Sequence, residues 1–205
     1  MVITMSSLYE FDKEKGDILG VDEAGRGPLA GPVVAAAVKI HQYHDFFEMI
    51  NDSKKLSEKK REELFDKILT YCDVGVGIAS VEEIDEVNIL EATFIAMNRA
   101  IEDVTKNSDV TFDTVLVDGN KLIKKYNGKQ EFLVKGDAKS LSIAAASIIA
   151  KVTRDRIMLK FAEIYPEYHF EKHKGYGTKL HREILLEKGV LPIHRKTFLK
   201  KILSK

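Results

Sequence analysis

The sequence predicts an α/β fold on three observations. Short apolar runs that read as strands alternate with longer segments of helical periodicity. The helical segments open on Ser or Thr and close at Gly or before Pro. A chain of 205 residues, 44% hydrophobic and 31% charged, has enough apolar surface for one sizeable core. With no internal repeat, low-complexity tract or Pro/Gly-rich linker, residues 1–205 are expected to form a single domain.

In chain order, Ile18 to Val21 is a short apolar run that ends in Asp-Glu-Ala-Gly-Arg-Gly-Pro, and Val33 to Ile40 is a second, β-branched and alanine-rich. They read as two strands joined by a turn-rich loop, with the acidic pair where the first strand ends. Ser57 caps a helix from Glu58 to Tyr71 whose apolar stripe is Leu64, Phe65, Ile68 and Leu69. Val74 to Ala79 is a strand. Ser80-Val-Glu-Glu83 has capping-box spacing, and a helix near Ile89 to Thr105 follows, with Phe94, Met97, Ile101 and Val104 turned to the core. Thr114 to Val117 and Phe132 to Lys135 are further strands, one running into Asp118-Gly-Asn120 and the other into Gly136-Asp137. A helix from Leu141 to Tyr165 stops before Pro166. After a loop from His169 to Tyr176, Thr178 caps a helix from Lys179 to Lys188 that Gly189 ends, and a short basic helix begins near Arg195.

Composition excludes several classes. Cys72 is the only cysteine, so there is no internal disulfide and no Cys/His set with zinc spacing; an essential metal would be held by oxygen. The first sixteen residues lack a basic region followed by an apolar run, and Ile143 to Ala150 is too short to span a bilayer. A cytoplasmic location without membrane contact is therefore expected. The formal net charge of zero hides a polarised chain: from Lys160 onward there are 11 basic and 5 acidic residues, leaving the rest net −6. Such a basic end grips phosphates or is a solvated helix face, and charge alone leaves both open.

Asp22, Asp118 and Asp137 each follow a short apolar run and each has a glycine nearby. Strand ends of an open α/β sheet converge on one crevice. Several carboxylates gathered there repel one another unless a cation joins them. Mg²⁺ or Mn²⁺ suits such oxygen ligands, and two such ions about 3.5–4 Å apart can clamp the oxygens of a phosphodiester. That pattern points to phosphoryl transfer. Gly25, Gly27 and Gly31 suggest a loop that approaches a sugar-phosphate closely. It is neither a Walker A loop nor a dinucleotide fingerprint, and Pro28 and Pro32 oppose a helix there.

The string Gly20-Val-Asp-Glu-Ala-Gly-Arg-Gly-Pro-Leu-Ala-Gly-Pro-Val33 resembles the opening signature of bacterial ribonuclease HII. Asp52-Ser-Lys-Lys-Leu-Ser57, Val117-Asp-Gly-Asn120, Lys135-Gly-Asp137, Ala145 through Asp155 and Gly175-Tyr-Gly-Thr178 agree in order. The resemblance implies an RNase H-like fold, a mixed central sheet flanked by helices, with a basic helical C-terminal part (about 160–205) forming one wall of the substrate groove. It implies that Asp22, Glu23, Asp118 and Asp137 are the catalytic, metal-binding acids for Mg²⁺ or Mn²⁺. It implies that Gly25, Arg26 and Gly27 recognise the 2′-hydroxyl side of an RNA–DNA junction and that Tyr176 packs on the adjacent deoxyribose, in keeping with the hydroxyl being what separates RNA from DNA.

The expected activity is hydrolysis of the RNA strand of RNA–DNA hybrids and cutting at single ribonucleotides in duplex DNA, by a monomer serving ribonucleotide excision repair. A hybrid-binding module without catalysis and a DNA-only metal nuclease are the alternatives. Lys54, with Lys55, is a candidate phosphate contact. Ser147 is assigned to substrate, on the helix face it shares with Lys151 and Asp155, where Asp155 reads first as part of a helix-surface network. His169 and His173 are read as surface residues of a basic loop and left out of the site. The tail His194-Arg-Lys-Thr-Phe198 resembles the family's, but Leu-Lys-Lys-Ile-Leu replaces the usual proline-containing close.

Overall fold

The computed structural model describes residues 6–204, the side chains of residues 51–55 and 201 excepted. Its centre is a mixed sheet of β1 (Ile18–Ala24), β2 (Val33–Lys39), β3 (Asp73–Ala79), β4 (Thr114–Asp118) and β5 (Gln130–Leu133), ordered β3-β2-β1-β4-β5. β1, β2 and β3 pair antiparallel, whereas β1, β4 and β5 pair parallel. Parallel neighbours need a long crossover, and α3 (Val81–Val87) with α4 (Ile89–Asn107) supplies the one that carries the chain from β3 to β4.

Both faces of the sheet are covered. On one, Ala92, Ala96, Met97, Ala100 and Val104 of α4 pack on Leu19, Val21, Ala35, Ala37, Val115 and Val117. On the other, Leu64 and Ile68 of α2 (Glu58–Tyr71) and Ala144, Ala145, Ile148 and Ile149 of α5 (Leu141–Ile164) pack on Ala36 and Val38. This double cover explains why β2 is apolar at nearly every position instead of alternating. The alanines of β2 and the glycines of β3 bring α4 down onto the backbone. A Cβ on Gly77 would lie 1.9 Å from the Ala96 carbonyl oxygen, so only glycine fits there.

The predicted elements form, with instructive differences. Ser57 caps α2, accepting from the Lys60 N–H, and α2 has the expected bounds. Leu69 is 48% exposed, because five residues beyond Leu64 the helix has turned it off the stripe. The Ser80/Glu83 capping box is present, but it opens the separate seven-residue α3; Asn88, at φ 76°, ends α3 and its side chain caps α4. β1 continues through the acidic pair to Ala24 because β2 pairs with it that far. β5 starts at Gln130 and stops at Leu133, short of Lys135. The longest elements that the sequence pattern does not predict are α1 (Ser7–Lys15) and a 3₁₀ stretch Asp45–Lys55. Of α1, only Leu8 and Asp12 are buried, too few for a visible apolar period. Asp12 fastens α1 to the start of α5, accepting from the Ser142 N–H at 2.7 Å and hydroxyl at 2.8 Å.

The C-terminal part adds α6 (Phe170–His173), α7 (Lys179–Lys188) and α8 (Lys196–Leu203). α6 lies inside the stretch expected to be a loop, bracketed by left-handed residues His169 and Lys174. The divergent tail docks. Leu199 is buried against Leu29 and Leu185, and the Asp85 carboxylate of α3 caps α8, accepting from the Lys196 N–H (2.9 Å) and the Thr197 N–H (3.0 Å). Among the described residues no helix is long and apolar enough to cross a membrane.

The contact between α4 and β3 makes a direct prediction. Gly77→Ala forces the helix off the strand and should cost about 1–3 kcal/mol, the usual range for overpacking. Urea unfolding measures it, and an unchanged midpoint would show that α4 does not depend on this approach.

Candidate active site

The site grows from the parallel pairing of β1 and β4. Val21 is in register with Val117, so Asp22 and Asp118 follow side by side, on strands about 4.8 Å apart. Alternation along β1 sends Asp22 toward α5 and Glu23 toward α4. Asp22 is 5% exposed; its Oδ1 accepts from the Glu23 N–H at 2.7 Å, and the Ser147 hydroxyl of α5 donates to its carboxylate. Asp118 Oδ1 accepts from the Gly136 N–H at 2.6 Å. Asp137 is the next residue, in the 3₁₀ turn Gly136–Ala138. Glu23 pairs with Arg26, Nη1 to Oε1 being 3.4 Å.

Burial first, then the charges of Glu23 and Asp118, hold the Asp22 carboxyl well above the usual range, against the hydrogen bonds from Ser147 and the Glu23 N–H. Burial also raises Glu23; Arg26 opposes this and Asp118 adds to it. These acids therefore lie within one another's field, and Glu23 and Asp118 line an open recess of about 50 Å³ together with Arg26, Thr93, Asn120 and Lys121. Among the described residues no group of three or more acids, histidines or cysteines is placed so that it could hold a metal ion as it stands. Asp22, Glu23 and Asp118 each accept from a protein donor, the Glu23 N–H, Arg26 and the Gly136 N–H. All-oxygen donors, mutual repulsion and an open side fit a hard divalent cation.

The Gly-Arg-Gly loop between β1 and β2 is held from behind by two arginines. Arg154 of α5 donates through Nε to the Pro32 carbonyl, through Nη2 to that of Ala30 and through Nη1 to that of Lys174, each at 3.0 Å. Arg195 donates through Nε to the Gly31 carbonyl (2.9 Å), through Nη1 to that of Arg26 (2.9 Å) and through Nη2 to those of Gly25 (2.6 Å) and Pro32 (3.2 Å). Both guanidiniums are almost fully buried. Burial, then the neighbouring Arg154, pushes Arg195 down to about 9. Gly25, at φ +93°, must be glycine: a Cβ would lie 2.1 Å from the Arg154 Nε.

On its outer side this loop meets the segment before α7. The Leu29 N–H donates to the Gly175 carbonyl at 2.8 Å, and a Cβ on Gly27 would lie 3.8 Å from Cε1 of Tyr176, whose ring is 43% exposed. The structure thus gathers Asp22, Glu23 and Asp118, sets Asp137 beside them, and brings Gly25, Arg26 and Gly27 up to Tyr176. The half-buried Ser147 donates to the Asp22 carboxylate. Asp155 is taken up by Lys151, at 2.8 and 2.7 Å. The side chain of Lys54, like that of Lys55, falls outside the described residues.

His173 needs correction: it is buried, not at the surface, because both ring nitrogens find main-chain partners in a tight turn. His169 is at the surface, paired with Glu171. The arginines that shape the loop went unnoticed in the sequence. Arg154 lies on the buried side of α5, four residues before the buried Met158, which was the available signal; Arg195 offered none, since its site is assembled from main chain far away in sequence.

Comparison with known proteins shows the family and the fold. A profile for the family described as Ribonuclease HII matches residues 19–201. The Ribonuclease HII of Fusobacterium nucleatum subsp. nucleatum is 62% identical over 198 residues, 96% of this chain and 92% of that protein. That of Clostridioides difficile is 54% identical over 194 residues, 94% of this chain and 74% of that protein. Among solved structures, the ribonuclease H2 of Pyrococcus horikoshii superimposes with a TM-score of 0.73 at 32% identity, covering 92% of this chain and 97% of that one. Bst-RNase HIII, solved in complex with Mn²⁺, shares the fold at a TM-score of 0.73 and 17% identity, covering 92% of this chain and 69% of that one. On the profile match and these identities, the chain belongs to the ribonuclease HII family, a family of nucleases built on the RNase H-like fold.

Proposed function

We propose that this protein is an endoribonuclease that hydrolyses the RNA strand of RNA–DNA hybrids and cuts at single ribonucleotides embedded in duplex DNA, leaving 5′-phosphate and 3′-hydroxyl ends. The observation that carries the reading is the cluster of Asp22, Glu23 and Asp118, whose charges oppose one another at the open end of two parallel strands. With Asp137 they would hold Mg²⁺ or Mn²⁺. When bound, such ions activate a water for in-line attack and offset the charge of the phosphate.

The rest is work for the chain's own side chains. Ser147 orients the Asp22 carboxylate and the Gly136 amide that of Asp118, so the donor oxygens are set before substrate arrives. Gly25, Arg26 and Gly27, pinned from behind by Arg195 and Arg154, present main chain and the Arg26 side chain to the ribose 5′ of the cut. A rigid polar pocket of this kind rejects a sugar that lacks its hydroxyl. Tyr176 covers the following deoxyribose. Lys172, Lys179, Arg182, Lys188 and Lys196, all exposed, make residues 160–205 a basic wall for the duplex backbone. The protein acts as a cytoplasmic monomer, and Lys54 adds a phosphate contact. A hybrid-binding module without catalysis would ignore Mg²⁺, and a DNA-only nuclease would ignore the 2′-hydroxyl; cleavage of a duplex bearing one ribonucleotide, with and without Mg²⁺, separates all three.

Asp22→Asn or Asp118→Asn should lower cleavage by at least roughly 100-fold, since even outer partners of metal ligands are worth 10–100-fold, while hybrid binding persists. Turnover near that of the unchanged protein would remove the acids from the mechanism.

The raised Asp22 pKa sets a sign for stability. The folded state holds that proton more tightly than the unfolded chain, so metal-free protein should lose stability as pH rises from the ordinary carboxylate range toward the raised value. Asp22→Asn should lack this loss and melt higher at neutral pH in a chelator. Mg²⁺ should raise the melting temperature of the unchanged protein more than that of the variant. Equal melting profiles across pH would contradict the charge conflict.

Tyr176→Ala should reduce cutting at single ribonucleotides more than cutting within long hybrids, by the ~1–3 kcal/mol of a lost stacking contact. Turnover on both substrates measures the ratio, and equal losses would leave Tyr176 a structural part.

A further inference from the structure

Beneath Tyr176 lie three buried histidines, His173, His181 and His194, which the proposed chemistry does not use. The rings of His173 and His181 stack with centroids 4.2 Å apart, and His181 Nε2 is 3.0 Å from His194 Nε2. Their hydrogen bonds leave one consistent assignment of protons. The Leu191 N–H donates to His194 Nδ1 at 2.9 Å, so in the neutral ring the proton sits on Nε2. That Nε2–H points at His181 Nε2, which must accept. The His181 proton is then on Nδ1, 2.9 Å from the Tyr176 carbonyl, to which it donates. Independently, His173 Nδ1 accepts from the Gly175 N–H at 3.2 Å and its Nε2–H donates to the Tyr168 carbonyl at 2.8 Å.

Every ring nitrogen has a partner, and each accepting nitrogen already faces an N–H. An added proton would set two donors against each other. The ionisable groups acting on the cluster from its neighbours are Glu171, which favours charge on His173, and His169, which disfavours it. Burial outweighs them and pushes His173 and His194 down to about 4; His181 is lowered too, so the cluster is neutral at working pH.

Tyr176 needs such support. Its ring is exposed, and no hydrogen bond of its hydroxyl is found among the described residues, so its direction is set by its own main chain and by the Arg154 guanidinium 5.7 Å from the ring centroid. Both ends of that main chain meet histidine residues: the Tyr176 N–H donates to the His173 carbonyl at 2.8 Å, and the Tyr176 carbonyl accepts from His181 at 2.9 Å as well as from the Thr178 N–H at 2.8 Å. We infer that His194 and His181 are positioning residues, a tautomer-locked relay from the Leu191 amide to the Tyr176 carbonyl that aims the Tyr176 ring beside Gly27. The inference rests on the reading of Tyr176 as a contact to the sugar. It differs from a packing role in one respect: an apolar ring of similar size in place of His194 would fill the space but lose the direction.

Nitrogen-15 spectra of the full chain labelled in histidine, at neutral pH, should show protons on Nε2 of His194 and His173 and on Nδ1 of His181. His194→Phe should release the His181 tautomer, move the Tyr176 and Gly177 amide signals, and drop the ratio of single-ribonucleotide to long-hybrid cleavage several-fold toward that of Tyr176→Ala. The double variant should fall no further. His194→Gln, whose amide can both accept from Leu191 and donate to His181, should restore the ratio. A different tautomer pattern, unmoved amide signals, or additive losses would overturn the relay even where Tyr176→Ala alters the ratio. If Tyr176→Ala leaves the ratio unchanged, the substrate reading of Tyr176 falls, and with it the purpose given to the relay. The unchanged protein's tautomers decide the bonding even should His194→Phe not fold.

Discussion

Two buried positive charges without a carboxylate among their hydrogen-bond partners hold the functional end of this molecule together. Moving a guanidinium out of water is costly unless its donors are satisfied, and Arg154 and Arg195 meet that condition through main-chain carbonyls of the loop from Gly25 to Pro32 and of Lys174. The dependence runs both ways. The arginines are tolerable inside only because the loop folds back its carbonyls, and the loop keeps that shape because losing it would strand two charges. A carboxylate partner would have neutralised them more simply, but it would have left the carbonyls, and thus the loop, without direction.

This stitching joins pieces remote in sequence: the β1–β2 loop, the middle of α5, the Gly-Tyr-Gly segment and the start of α8. α5 has the central part. Its first turn is fixed by Asp12, Ser147 one turn farther along touches Asp22, and Arg154 two turns beyond that grips the loop. One rigid helix thereby sets the distance between the acids and the Gly-Arg-Gly loop. Such rigidity is what a preorganised site requires.

Polarity is handled in three ways within a small volume. Around Asp22 like charges are brought together and remain in conflict, which raises the carboxyl and leaves room for a cation. Around the arginines charge is buried and satisfied by dipoles. In the histidine cluster charge is excluded altogether and direction is conveyed by neutral N–H groups. The first arrangement stores a reason to bind a metal, whereas the other two keep the surrounding walls still.

Much of this was legible in the sequence. The bounds of α2 and α7 followed from Ser57, Thr178 and Gly189, because a cap is a local hydrogen bond that a few neighbouring residues complete. The nearness of Asp22 and Asp118 was expected from their place after short apolar runs, and the register of β1 with β4 sets them side by side. What only the tertiary structure decided is which groups face one another. His173 looked like a surface residue because its partners are main-chain atoms and the stacked ring of His181 in α7, none of which periodicity reveals. Leu69 looked buried and is not, since an apolar side chain records a tendency while the helix phase sets the outcome. Arg154 and Arg195 read as two charges among many; their meaning lies in carbonyls more than a hundred residues away for most of their bonds, and a main-chain carbonyl has the same sequence signature at every residue.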